Sequence, residues 1–410
     1  MNIRTVAIAA LLVCTAARVM AQEPATPAAP PAPPPLDTRT QYPPFLANSF
    51  FSFNVGLIGY LFTGRQLEPG FEAGTIDKPR VAARVDLFGH YFSKYFSMQG
   101  TYLRPGRYVA YRNINGTDVS RQVSNAYAGV TLSFHAPLGS KVSFYGEGGG
   151  GVTSRSGFAI EGKQALKEAH YTSGLLGAGF EYHASQNLDW VLGATYLPGR
   201  RSFEQPSSRF YTLGVRYMMR PVPEARVVEN RDSGYVFPKA VARLGFTTSG
   251  AGYGLNTLFS RKIPIFWGGD LETGSGVSFD YQRNYFHTKK IFAFDLGISA
   301  GAWKTNDHAQ TFGTISGYPM FRWFFLRRAT MDLYGNYSLA GPTFMTKTTI
   351  EDQHLGARFT FQDFMGVGGF FGADRKFNAE IGIKHFSNGN LFTTNASVKV
   401  PLTVLVGVTF

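Results

Sequence analysis

The chain is nearly without cysteine and wholly without a long apolar run. Its one cysteine, Cys14, sits near the start, so the rest of the sequence holds no disulfide, thiolate nucleophile or cysteine-based metal site. No stretch beyond it approaches the 18 uninterrupted apolar residues of a membrane-crossing helix, and the 3.6-residue period of amphipathic helices is sparse. Acidic residues are few, 27 against 40 lysines and arginines, for a formal net charge of +13. His287 and His354 stand in expected turn and loop positions with no metal-ligand spacing, and no cofactor is expected. What the chain has instead is 47 glycines, 37 phenylalanines and 21 tyrosines, set in short segments that alternate apolar and polar residues. That pattern predicts an all-β protein whose strands cross a membrane, apolar side outward and polar side inward.

Residues 1–21 read as a secretory signal: Arg4 gives the positive region, Val6 to Val13 the apolar core, and Val19-Met20-Ala21 the cleavage site before Gln22. Val13 before Cys14 argues against a lipoprotein anchor. Cleavage would remove Arg4 and Arg18, lowering the charge from +13 by two. Residues 22–45, with Pro24, Pro27 and Pro30 to Pro35 broken only by Ala32, are expected to form an extended linker. Many cations fall in expected long loops, among them Arg65, Lys78, Arg107, Arg112, Lys163 and Lys167. They read as solvated loop charge, or as attraction toward the phosphates of lipopolysaccharide; nucleic acid is not an expected partner.

Eight alternating segments are predicted in the first half, near 50–63, 80–92, 94–103, 124–136, 141–151, 170–182, 186–197 and 207–219. Long connections at 64–79, 104–123, 152–169 and 198–206 alternate with short ones, as in outer-membrane barrels. Val81, Ala83, Val85 and Leu87 take one face and Ala82, Arg84 and Asp86 the other. So small a lumen is filled by side chains, and Arg84, Asp86, Glu147, Glu181 and Arg216 are expected to form an interior ion network. This domain, 46–220, resembles the OmpA or OprF type of eight-stranded barrel in pattern, without a specific motif.

Residues 221–235, with Pro221, Pro223 and the charged run Glu224 to Asp232, read as a linker. A second domain, 236–410, is predicted with strands near 263–272, 275–286, 290–303, 311–326, 329–340, 357–372, 376–387 and 398–410, leaving 238–262 unassigned. The expected fold is therefore two tandem eight-stranded antiparallel transmembrane β-barrels, separate because the charged, proline-bearing linker interrupts the meander.

Chemistry concentrates near the C-terminus. In Lys384-His385-Phe386-Ser387-Asn388-Gly389, His385 and Ser387 share the outward face with Phe377, Ala379, Ile381 and Ile383, their Cα atoms roughly 6.5 Å apart. A base and a nucleophile on a lipid-facing strand suggest an enzyme that works on lipid. Residues 384–399 resemble the PagL type of lipid A 3-O-deacylase, whose motif is His-x-Ser-Asn followed by a small-residue loop, an Asn and a Glu. The resemblance implies an outer-membrane serine esterase of a Gram-negative bacterium that removes an ester-linked acyl chain from lipid A without a metal, with lipid A or lipopolysaccharide as partner. His385 matches the base, Ser387 the nucleophile, Asn388 the oxyanion-hole residue and Asn395 the later Asn.

The family's glutamate position holds Lys399, which cannot accept the imidazole N–H. Either the protein is a catalytically inactive structural or adhesive barrel, or another acid substitutes. Asp363 interrupts the apolar face of Phe359, Phe361, Met365, Val367 and Phe371, and a turn centred near Asp374 places it opposite His385; a register slip of two would make it a rim residue, and a bulge would turn it inward. Lys399, between Val398 and Val400, is expected to point to the interior or the rim. Glu380 has interior parity, where Lys384, or the surroundings of Asp332 and Arg283, would partner it.

Overall fold

A barrel wall in lipid must pair every backbone N–H and C=O within itself, and both halves of this chain do so by closing. The computed structural model describes residues 38–262 and 269–410; the expected signal and most of the proline-rich segment lie outside the described residues. The first barrel closes through β1 (Ser49–Tyr60), β2 (Val81–Tyr91), β3 (Phe96–Pro105), β4 (Asn125–Pro137), β5 (Val142–Arg155), β6 (Ala169–His183), β7 (Leu188–Leu197) and β8 (Ser208–Met219), with β1 paired to both β2 and β8. The second closes through β9 (Ala240–Thr248), β10 (Leu271–His287), β11 (Phe292–Thr305), β12 (Thr311–Arg327), β13 (Met331–Met345), β14 (Phe359–Phe371), β15 (Phe377–Ser387) and β16 (Val398–Thr409). Two closed antiparallel barrels of eight strands are the fold. Among the described residues no helix is long and apolar enough to cross a membrane.

The expected strands correspond to the first barrel within a few residues. In the second barrel the first strand of the closed wall is β9, drawn from the unassigned segment; of the strand expected at 263–272, residues 263–268 lie outside the described residues. β10 begins only at Leu271 and runs as one strand through the stretch read as 275–286. Arg243 and Thr247 of β9 point into the barrel while Leu244 and Phe246 point out, and β9 pairs with both β10 and β16. Without it the wall would be open. Between β9 and β10 lies α2 (Gly254–Lys262). The linker after the first barrel is not wholly irregular either, since it contains α1 (Glu224–Arg231).

The end of the expected proline-rich linker, 38–45, is docked. Arg39 donates to the carbonyls of Phe237 and Pro238 at 2.9 and 3.0 Å. Gln41 exchanges hydrogen bonds with the backbone of Val222 at 2.8 and 2.9 Å. The Tyr42 ring stacks on Phe286 of the second barrel at 4.1 Å, and its hydroxyl meets that of Tyr217 in the first at 2.9 Å.

Both interiors are ionic. In the first barrel Arg84 joins Asp86 and Glu147, and Arg216 joins Glu181. In the second, Glu380 is held by Arg243 at 2.7 Å and by the Tyr334 hydroxyl at 2.7 Å, while Lys384 lies 3.5 Å from Asp280. Glu380 thus has the expected interior position but a different partner, because the arginine opposite it comes from β9. Removing one member of such a pair strands its partner in a poorly solvated lumen. Arg243→Leu is therefore expected to cost about 3–5 kcal/mol, read as a lower urea midpoint for unfolding in lipid vesicles; an unchanged midpoint would refute this ledger.

Candidate active site

The site forms where β14, β15 and β16 run side by side. β14 and β15 pair in the register Phe361↔Ser387, Asp363↔His385, and β15 pairs with β16 as His385↔Lys399. Lys399 in turn lies beside Glu272, at the start of β10. A single cross-strand row therefore reads Asp363, His385, Lys399, Glu272, and directly paired residues share a face of the sheet.

Asp363 sits across from His385 with Oδ2 3.5 Å from the imidazole Nδ1, long for a hydrogen bond and close for a charge contact. Its other oxygen accepts the backbone N–H of Ala340 at 2.8 Å. That donor exists because of a bulge: the β13–β14 register shifts between Ser338 and Gly341, and Ala340 adopts φ of 50°, a left-handed conformation uncommon for a residue with a Cβ. The strand expected to stop near residue 340 instead continues past the bulge to Met345. Asp363 also lies within electrostatic reach of the hydroxyls of Tyr102 and Tyr337. An outward carboxylate in a membrane wall is costly; here the imidazole and the Ala340 N–H offset that cost.

Lys399, the second residue of β16, stands near the rim as expected but does not point to the interior. Val398 and Val400 are fully buried in the interior cluster, so the residue between them must face outward with His385. Its ammonium binds Glu272 Oε1 at 2.9 Å and lies 5.6 Å from the Tyr253 ring centroid. Burial pushes the Tyr253 hydroxyl up to about 12, keeping it protonated as the donor to the Thr273 carbonyl at 2.9 Å.

Ser387 ends β15, and the chain then turns sharply. Gly389 and Asn390 have φ of 64° and 59°, and Leu391 N–H returns to the Asn388 carbonyl at 3.1 Å. Two successive left-handed residues make a type I′ turn, which suits Gly and Asn. The turn brings Gly389 N–H to 3.2 Å from Ser387 Oγ. Asn395 completes the setting: its Nδ2 donates to Ser387 Oγ at 3.0 Å, and its Oδ1 lies 3.2 Å from that hydroxyl and accepts Asn388 N–H at 3.0 Å. Asn388 is employed differently. Both hydrogens of its Nδ2 go to backbone carbonyls, Leu355 at 2.6 Å and Thr394 at 2.8 Å. The donors aimed at the serine oxygen are thus Gly389 N–H and Asn395 Nδ2.

The expectation of an open lipid-facing pair is modified by the first barrel. His385 and Asp363 are only 5% and 4% exposed, although their face is the outward one. Tyr102 of β3 donates to the Gly389 carbonyl, Tyr108 accepts from Asn390 Nδ2 at 2.9 Å, Ser154 donates to the Leu391 carbonyl at 2.6 Å, and His170 stacks on Phe392 at 5.8 Å. Asn395 was visible in the motif. The Ala340 bulge and the first-barrel contacts left no local signal.

Residues 273–400 match the family model of lipid A 3-O-deacylase (PagL), and residues 52–217 match that of the OmpA-like transmembrane domain. Among solved structures, the outer membrane enzyme PagL aligns at 16% identity and a TM-score of 0.30, over 42% of this chain and 99% of its own. The N-terminal barrel domain of Pseudomonas aeruginosa OprF aligns at 15% and 0.27, over 42% and 98%. Ail, the attachment invasion locus protein of Yersinia pestis, in complex with the heparin analogue sucrose octasulfate, aligns at 14% and 0.27, over 42% and 99%. No curated protein matches the sequence. The C-terminal half thus resembles the PagL family and the N-terminal half the OmpA-like barrels, and the protein belongs to the Gram-negative outer membrane.

Asn388→Ala would leave the Leu355 and Thr394 carbonyls short of a donor, at about 1–3 kcal/mol each. Amide hydrogen exchange should then rise across residues 388–396 while the barrel strands keep their protection. Unchanged exchange in that segment would show that something other than this amide holds the turn.

Proposed function

We propose that the protein is an outer-membrane serine esterase that removes an ester-linked acyl chain from lipid A. The observation that carries the proposal is the cross-strand pairing of Asp363 with His385, two residues from Ser387 on the same face, inside the segment that matches the lipid A 3-O-deacylase model. Ser387 Oγ attacks the acyl carbonyl as His385 Nε2 takes its proton. The same nitrogen then gives that proton to the sugar oxygen as the ester C–O bond of the tetrahedral intermediate breaks, releasing the sugar hydroxyl, and a water deprotonated by His385 hydrolyses the acyl-serine to free fatty acid and Ser387. Asp363 fixes the tautomer with the proton on Nδ1 and stabilises the imidazolium. Gly389 N–H and Asn395 Nδ2 meet the oxyanion, and Asn388 acts as the positioning residue that keeps their turn in place. In the resting arrangement the serine hydroxyl lies by Asn395 Oδ1; the base role requires it to rotate toward the imidazole.

The rival reading is an inactive structural or adhesive barrel, favoured by Lys399 at the family's acid position and by the OmpA-like first half. The position of Asp363 weighs against it, since Lys399 is occupied by Glu272 and a second carboxylate already adjoins the imidazole.

Ser387→Ala and His385→Ala should each lower ester hydrolysis by at least about a thousandfold, measured by mass spectrometry of lipid A from cells expressing each variant. Full deacylation by either one excludes this mechanism. Asp363→Asn should leave the barrel folded and lower kcat by roughly 10²–10⁴-fold, because an amide favours the wrong tautomer. Wild-type turnover in that variant would remove Asp363 from the triad.

A further inference from the structure

The mechanism leaves the first barrel with no chemical part, yet its long-loop end borders the serine. There the surface forms an open groove of about 690 Å³ lined by Lys78, Arg104, Arg107, Tyr108 and Arg112, with Asp77 as its one acidic wall residue. Asp77 is tied to Arg112. Lys78, Arg104 and Arg107 meet no carboxylate among the described residues. Three unneutralised cations converging on one concavity favour a multiply charged anion, and guanidinium forks match the oxygens of phosphate in particular.

The groove shares a wall with the esterase site. Arg104, which lines the groove, lies with its guanidinium 5.3 Å from the Tyr108 ring centroid, Nη2 3.4 Å from the Tyr108 hydroxyl and Nε 3.3 Å from the Pro105 carbonyl. The Tyr108 hydroxyl accepts from Asn390 Nδ2 at 2.9 Å. Asn390 Oδ1 accepts from Asn395 Nδ2 at 3.0 Å, and Asn395 Nδ2 also holds Ser387 Oγ at 3.0 Å. A chain of side-chain hydrogen bonds therefore runs from the groove to the nucleophile, across the junction of the two barrels. One amphiphile can place an acyl ester at Ser387 and its anionic headgroup among the arginines, while its chains lie along the apolar outer walls.

We propose that this groove is the headgroup subsite of the enzyme: it binds a phosphate of the acylated glycolipid whose ester Ser387 cleaves. The inference rests on the esterase reading for its substrate, and it assigns the first barrel the task of recognising the phosphorylated sugar.

Binding is measured with the full chain carrying Ser387→Ala, in nanodiscs, so that no lipid is consumed. The probes are bisphosphorylated lipid A, the same lipid after phosphatase treatment, and inorganic phosphate. The phosphorylated lipid should bind at least about tenfold more tightly than the dephosphorylated one, and adding Arg104→Gln with Arg107→Gln should abolish that difference. Arg65→Gln with Lys163→Gln, which removes the same charge from loop positions outside the groove, should preserve it. Millimolar inorganic phosphate should compete poorly. The proposal is overturned by equal binding of the two lipids, by an equal loss in the control pair, or by inorganic phosphate displacing lipid A fully. Groove-dependent binding by a wild-type protein that cleaves neither lipid would retain the subsite and discard the esterase reading. Cleavage without groove dependence would do the reverse.

Discussion

Hydrocarbon offers no partner to a backbone amide, and this constraint organises the whole molecule. It forces each half to close, which makes β9 indispensable and leaves a lumen too narrow to stay empty. The lumen then takes the polar side chains that lipid rejects, and they must be paired there: Arg243 with Glu380, Lys384 with Asp280, Arg84 with Glu147. Rigid walls follow. A strand bonded on both sides holds its side chains in a fixed row, so the wall that isolates the backbone also aligns Asp363, His385 and Lys399.

Within that row the two charged neighbours of His385 have opposite roles. Lys399 stands where the related family carries its acid, but its charge is absorbed by Glu272. Asp363, on the other side, is held by the Ala340 N–H and presents its second oxygen to the imidazole. The bulge at Ala340 supplies that donor at the expense of one strained backbone conformation. An acid on either neighbouring strand can adjoin His385 because antiparallel pairing places both Asp363 and residue 399 on the face of the histidine.

The junction of the barrels adds a second layer. A site on an outer wall would ordinarily open to lipid, whereas here Tyr102, Tyr108, Ser154 and His170 grip the turn that follows the serine. The loop carrying Gly389 and Asn395 is thereby held from both barrels, and Tyr108, on the wall of the first barrel's basic groove, connects through Asn390 and Asn395 to Ser387 of the second.

Period-two alternation sufficed to determine two barrels, the inward charges and the outward pair His385 and Ser387, because in a membrane wall each residue's face follows from parity alone. The short turn near Asp374 likewise made the pairing of Asp363 with His385 countable to within a register slip, and the closed wall holds it at Asp363↔His385. Parity failed for Lys399 because β15 and β16 shift register between Gly382 and Lys384, and a bulge leaves no trace in an alternating pattern. The same is true of the bulge that turns the Ala340 N–H toward Asp363. β9 escaped notice because nine residues interrupted by Gly245 alternate too briefly to stand out from a loop. The partners of Glu380, the commitment of Asn388 to carbonyls and the grip of the first barrel on the 388–396 turn were decided by tertiary structure alone. Each joins residues tens to hundreds of positions apart, and only closure of the walls and their lateral packing bring such residues together.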